Sequence, residues 1–195
     1  HPSELIDQIQ YHSPKGRGKY LPAAEYSFTT QLDGRGVYSF CMCPGGFIVP
    51  AMTDTSQSVV NGMSPSGRNS AFANSGLVTE VRLEDFAHLR EEWGELAGLR
   101  YQQMFEELAR QHSGDKQVAP AQRVSDFVYG RESRSLPKTS YIPGLTPSRL
   151  DIWMPEEIGA RLRSGIATFG KKMRGFVTDE AIVVGVESRT STPVR

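Results

Sequence analysis

The chain has 195 residues, 38% of them hydrophobic and 23% charged, which suits a soluble globular protein long enough to bury a core. Its 22 basic and 22 acidic residues cancel, which argues against nucleic-acid and membrane-surface partners because phosphate binding calls for a basic excess. No apolar run reaches the roughly 20 residues needed to cross a bilayer, and two cysteines are too few for a disulfide framework, so a cytoplasmic setting is expected.

The first residues, His1-Pro2, carry no signal-peptide pattern. The abrupt ends read as those of a piece cut from a longer protein. A short helix is expected after Ser3, with Leu5, Ile6 and Ile9 at helical spacing. Lys15-Gly16-Arg17-Gly18-Lys19 reads as a solvated basic loop.

From Glu25 the pattern turns to β. Strands are expected over 25–31, 37–42, 47–52, 59–62 and 76–83, separated by Asp33-Gly34-Arg35-Gly36, Pro44-Gly45-Gly46 and Asp54-Thr55-Ser56. Residues 84–175 read as mainly helical. Segment 95–112 carries Tyr101, Phe105 and Leu108 on one stripe, 120–129 is a shorter helix, 136–147 is an extended loop with three prolines, and 155–174 is the clearest helix. Ala181 to Val186 is a buried-strand run. The expected class is α+β: an antiparallel meander or partly open barrel, with a helical subdomain inserted and the chain returning to the sheet at its end. That divides the chain into a β-rich part, 1–83 with 176–195, and a helical insertion, 84–175.

Cys41 and Cys43 flank Met42 in an apolar run closed by Pro44-Gly45-Gly46. On a regular strand they share a face about 7 Å apart, too far for an unstrained disulfide. A zinc site lacks ligands, since there is no third cysteine and His12, His88 and His112 are scattered, so no metal is expected. Packing as small apolar residues and a site-lining or redox role both remain open. Neither G-x-G-x-x-G nor a P-loop is present, so the chain alone carries no dinucleotide fingerprint. Beyond the last strand, Glu187, Arg189 and Arg195 alternate with Ser188, Thr190, Ser191 and Thr192. Polar loops at strand ends are where ligands bind, and arginine there suits phosphate or carboxylate. A Glu–Arg pair tying the loop is the competing reading.

Several motifs together carry a resemblance. They are Ser39-Phe40-Cys41-Met42-Cys43-Pro44-Gly45-Gly46, Val60-Asn61-Gly62-Met63-Ser64, Ala73-Asn74-Ser75, Pro120-Ala121-Gln122-Arg123 and Gly185 through Arg195. With the opening His1-Pro2, they resemble the uncharacterised FAD-dependent dehydrogenases, also called NAD(FAD)-utilizing dehydrogenases.

The resemblance implies an oxidoreductase whose FAD-binding Rossmann-type domain lies outside this chain. The chain would then be a middle, substrate-facing or cap domain over the flavin ring, with that FAD-binding domain and an unidentified small molecule as partners and NAD(P)H as a candidate electron donor. The fragment alone is expected to be inactive and not to hold FAD tightly. The residues implied to face cofactor or substrate are Cys41, Cys43, Gly45, Gly46, Asn61, Ser64, Arg68, Asn74, Ser75, Glu187, Arg189, Ser191 and Arg195. The Cys-x-Cys spacing departs from that of flavin-linked disulfide reductases, and no catalytic residue is assigned. The alternatives are a non-catalytic interdomain or partner-binding module of a flavoprotein and, against the charge balance, an RNA-modifying flavoenzyme.

Overall fold

The structure is a computed structural model that describes residues 1–189, with Cys41 described by its backbone alone. Helix α1 (Ser3–Tyr11) starts one residue earlier than its sequence signal: Pro2 is the N-cap and makes no side-chain cap bond. The helix entry is held instead by strand-like contacts. Pro2 bridges Phe72, and Ser3 N–H donates to Ala71 O at 2.9 Å. Ile6 is fully buried.

The five expected strands all form. β1 (Thr29–Leu32) and β2 (Arg35–Cys43) make an antiparallel hairpin through Asp33 and Gly34, both at positive φ. β3 (Phe47–Pro50) and β4 (Val60–Met63) make a second hairpin, and β5 (Asn74–Thr79) pairs with the other side of β2. The first sheet therefore has the order β1-β2-β5, and the β3–β4 ribbon is separate. The class is α+β, and the sheets do not close into a barrel.

A short 3-10 turn over Leu83–Leu89, α2 (Arg90–Trp93) and a second 3-10 turn over Gly94–Leu96 lead into α3 (Ala97–Gln111). The expected helix over 120–129 splits. Its first half is β6 (Ala119–Arg123) and only its second half is α4 (Val124–Tyr129). Residues 119–122 are all buried, so they show no alternation to betray a strand, as in strands covered on both faces. The proline-rich stretch contains β7 (Leu145–Pro147), parallel to β6. Then come α5 (Leu150–Trp153), α6 (Glu156–Lys172) and β8 (Ile182–Val184). β8 pairs antiparallel with β6, giving a third sheet β7-β6-β8. Among the described residues the last strand thus joins a sheet built from strands within the helical stretch rather than the first meander.

One core cluster draws on both stretches, from Ile6 and Val37 to Phe127, Ile158, Leu162, Ile166, Phe169 and Val186. The α6 stripe lies on β2, and Gly165 permits the approach: a Cβ there would meet Val37 Cγ1 at 2.5 Å. A smaller cluster gathers Val60, Ala119 and Tyr141. Among the described residues no helix is long and apolar enough to cross a membrane, and no group of three or more His, Cys, Asp or Glu could hold a metal ion.

Candidate functional site

Among the described residues β5 has a strand partner on one side only. Ser39 N–H donates to Phe28 O, toward β1, while Glu80 N–H donates to Gly36 O. Because backbone direction alternates along an antiparallel ladder, Gly36, Tyr38 and Phe40 face β5, and Gly76 and Val78 face β2. The main-chain groups of Ser75 and Leu77 therefore point away from the sheet. A cavity of about 170 Å³ lies there. It touches Ser75 and Leu77 on one face of β5, and Asn74 with Glu187 on the other, so it wraps around the free edge.

Apolar side chains make most of its wall. Ile48, Val60, Phe105, Leu162, Ile166 and Phe176 come from five different elements and loops, while Lys138 and Glu180 stand at its exposed rim. The polar groups are few. Tyr26 and Ser75 share a hydrogen bond at 3.2 Å, and burial pushes the Tyr26 hydroxyl up to about 12. Glu187, just beyond β8, lays its carboxylate over Gly76: a Cβ on that glycine would meet Oε2 at 2.9 Å. Although much of the residue is exposed, its carboxyl group is partly enclosed. That enclosure raises its pKa above the ordinary carboxylate value and outweighs a hydrogen bond from the Gly62 N–H. No cation pairs with it among the described residues.

The glycines beside the cavity serve Asn74. A Cβ on Gly46 would meet Asn74 Nδ2 at 2.4 Å, and one on Gly62 would meet Oδ1 at 2.4 Å. The buried amide of Asn74 donates to Phe47 O at 3.1 Å, tying β5 to the β3–β4 ribbon. Gly45, at φ +61°, lies against the Arg68 carbonyl. Half-buried Cys43 is opposite Asn74. Between the pairs Phe40–Gly76 and Cys43–Asn74, two residues of β2 face one of β5, so a bulge interrupts the regular alternation on which the Cys41–Cys43 spacing was read. Around this junction Phe40 (61% exposed), Phe47 and Met63 stay open to solvent. Phe40 is opposite Gly76, and Phe47 is opposite Met63.

The sequence-derived residues therefore divide. Cys43, Gly45, Gly46, Asn74, Ser75 and Glu187 converge. Asn61, on β4, is half-buried and donates to Met63 Sδ at 3.7 Å. Ser64 and Arg68 are exposed on the loop after β4. Arg189 lies elsewhere: it donates to Glu106 through Nε (3.1 Å) and Nη2 (2.9 Å), to Gln57 Oε1 (2.7 Å) and to Thr53 Oγ1 (2.9 Å). Ser191 and Arg195 lie outside the described residues, as does the Cys41 side chain. Tyr26, Ser39 and Phe105 also line the cavity. Ser39 opens a motif and Phe105 belongs to a helical stripe in the sequence, but neither feature points to a site, because only the tertiary fold brings them to the β5 edge.

No described element of this chain makes a dinucleotide cradle, and the Arg189 guanidinium is engaged internally. Among the described candidates, Arg189 is therefore already committed within the chain. The cavity has the scale of a small molecule.

Residues 1–190 match the family model described as FAD-dependent protein, C-terminal domain-like. The chain is 41% identical, over its full length, to a protein of Clostridium beijerinckii named "Uncharacterized protein". It spans 36% of the length of that relative. With that match over nearly its whole length, the chain belongs to the FAD-dependent protein, C-terminal domain-like family.

Proposed function

We propose that this chain is the substrate-facing part of an FAD-dependent oxidoreductase, with the FAD-binding elements supplied by the rest of a longer polypeptide. The supporting observation is that one cavity joins a partly enclosed carboxylate, Glu187, to an apolar wall, while Phe40, opposite Gly76 on β2, is left exposed. Pockets of this make-up, mostly apolar with a few convergent polar groups, are where small ligands bind.

When bound, FAD supplies the hydride or electron transfer. The residues of this chain do the rest. The aliphatic and aromatic wall excludes water from the substrate. Glu187 accepts a hydrogen bond from a substrate donor beside the one it takes from the Gly62 N–H, and the Tyr26–Ser75 pair offers one hydroxyl hydrogen that its mutual bond leaves over. NAD(P)H as electron donor belongs to the same reading.

The test uses the full-length flavoprotein containing this chain, at pH 8. A carboxylate near the flavin favours its oxidised form, so Glu187→Gln should raise the flavin midpoint potential, and Phe40→Ala should shift the visible spectrum of the bound flavin. Ile142→Ala, at a 93% exposed loop position, serves as the control. The reading is lost if potential, spectrum and the rate of flavin reduction by NAD(P)H are the same in parent, Glu187→Gln and Phe40→Ala.

A further inference from the structure

We propose that the cavity at the β5 edge binds a small, uncharged aromatic compound carrying an N–H or O–H group, which donates to the Glu187 carboxylate. This deepens the reading above by naming its substrate class, and it rests on that reading for the occupant's role as substrate.

Size comes first. The cavity measures about 170 Å³, and a protein cavity of about 150 Å³ holds one benzene molecule. A single ring or a small fused pair is the scale that fits. Phe105 and Phe176 in the wall give a flat ligand ring contacts as well as apolar burial.

Charge comes next. An anion would face Glu187, with Lys138 standing only at the exposed rim. A cation would lose most of its hydration against aliphatic walls with Glu187 beside it and Glu180 at the same exposed rim, and burial of a charge with incomplete pairing is costly. A neutral ligand avoids both.

The polar end sets the remaining feature. An ionised carboxylate offers about four acceptor positions, and the described residues occupy one of them, through the Gly62 N–H. A partly enclosed carboxylate with open acceptor positions calls for a donor. The occupant is placed to supply it, because Glu187 lines the cavity over the bare Gly76.

Indole and 1-methylindole are the probes, measured by titration calorimetry on the full-length flavoprotein and on Glu187→Ala. Indole should bind the parent about tenfold more tightly than 1-methylindole, the scale expected for one hydrogen bond to a charged group. In Glu187→Ala, indole should weaken about tenfold and 1-methylindole should not change, so that the difference closes. Val60→Phe, which fills the cavity, should weaken both.

The proposal is overturned if indole does not bind the parent, or if the preference for indole persists in Glu187→Ala, because size alone would then explain it. Glu187 is exposed enough for its alanine variant to fold, so the result does not depend on Val60→Phe. If the indole pattern holds while the flavin potentials and spectra above do not respond, the ligand class stands and its role as substrate falls.

Discussion

Arg189 and Glu106 are 83 positions apart in sequence, yet the guanidinium closes on the carboxylate at 2.9 Å, and Glu106 has no exposed surface. Ser188 Oγ (2.6 Å) and Gln102 Nε2 (2.9 Å) complete the shell. The segment leaving β8 is therefore pinned to α3, and that contact fixes where Glu187, two residues earlier, can reach.

Removing the buried partner should be severe. Glu106→Ala should destabilise the protein by about 3 kcal/mol, the scale for breaking a buried charge pair, as read from a urea unfolding midpoint at pH 7. Burial works to raise the Glu106 pKa, but the bonds from Arg189, Ser188 and Gln102 outweigh it and hold the group below its ordinary 4.5. A depressed folded-state pKa means the stabilisation is present above the unfolded-state value and is lost as pH falls through the folded one. The gap between parent and Glu106→Gln should therefore shrink as pH drops below about 4.5.

Glu187 has the opposite sign. Its folded-state pKa is raised, chiefly by enclosure of the carboxyl group, so the favourable contribution exists at low pH and is lost as pH rises through that value. Glu187→Gln should be at least as stable as the parent at pH 8, and the difference should vanish below the ordinary carboxylate range. Thermal unfolding of the two proteins across pH 3 to 8 measures it. Greater stability of the parent at pH 8 would contradict the enclosure described.

Two glycines with similar backbone should differ sharply. Gly34 and Gly45 have φ of +72° and +61°; a Cβ at Gly34 meets nothing within 4 Å, whereas one at Gly45 would lie 2.1 Å from the Arg68 carbonyl oxygen. Gly34→Ala should cost about 1 kcal/mol of left-handed strain. Gly45→Ala should cost about 3 kcal/mol because strain and a backbone clash add. Equal unfolding midpoints for the two variants would show that the 64–69 loop moves aside freely.

Asn74→Ala should cost about 1–2 kcal/mol, since the Phe47 carbonyl loses a buried donor. Because that bond couples the ribbon to β5, hydrogen exchange should quicken at the β3 and β4 amides more than at those of β1. Uniform acceleration across all strands would mean that Asn74 supports the whole fold instead.

The legible parts of the fold are those with local signals. Turn glycines and apolar runs mark the five strands up to Thr79. The 3.6-residue stripe through Ile158, Leu162, Ile166 and Phe169 marks α6, as do the glutamates at its start and the lysines at its end. β6 gave no such signal, because Ala119 to Gln122 are buried on every side, and β7 is three residues ending in proline. At the site, Asn74, Ser75 and Glu187 stand out through the motifs, but no spacing in the chain says that a bulge at Cys43 and a free strand edge bring them together. Glu106 was invisible for a different reason. A glutamate on a helix reads as solvated until its arginine, 83 residues on, is seen to cover it.

The free edge of β5 has one more effect. The main-chain groups of Ser75 and Leu77 point out from that edge, and no substitution deletes an amide or a carbonyl. Variation at Val60, Ile166 or Phe176 can resize the chamber, and variation at Glu187 can change its sign. Through all of it the strand edge keeps the same unerasable row of donors and acceptors, so relatives that diverge in ligand size should still favour molecules with a polar edge.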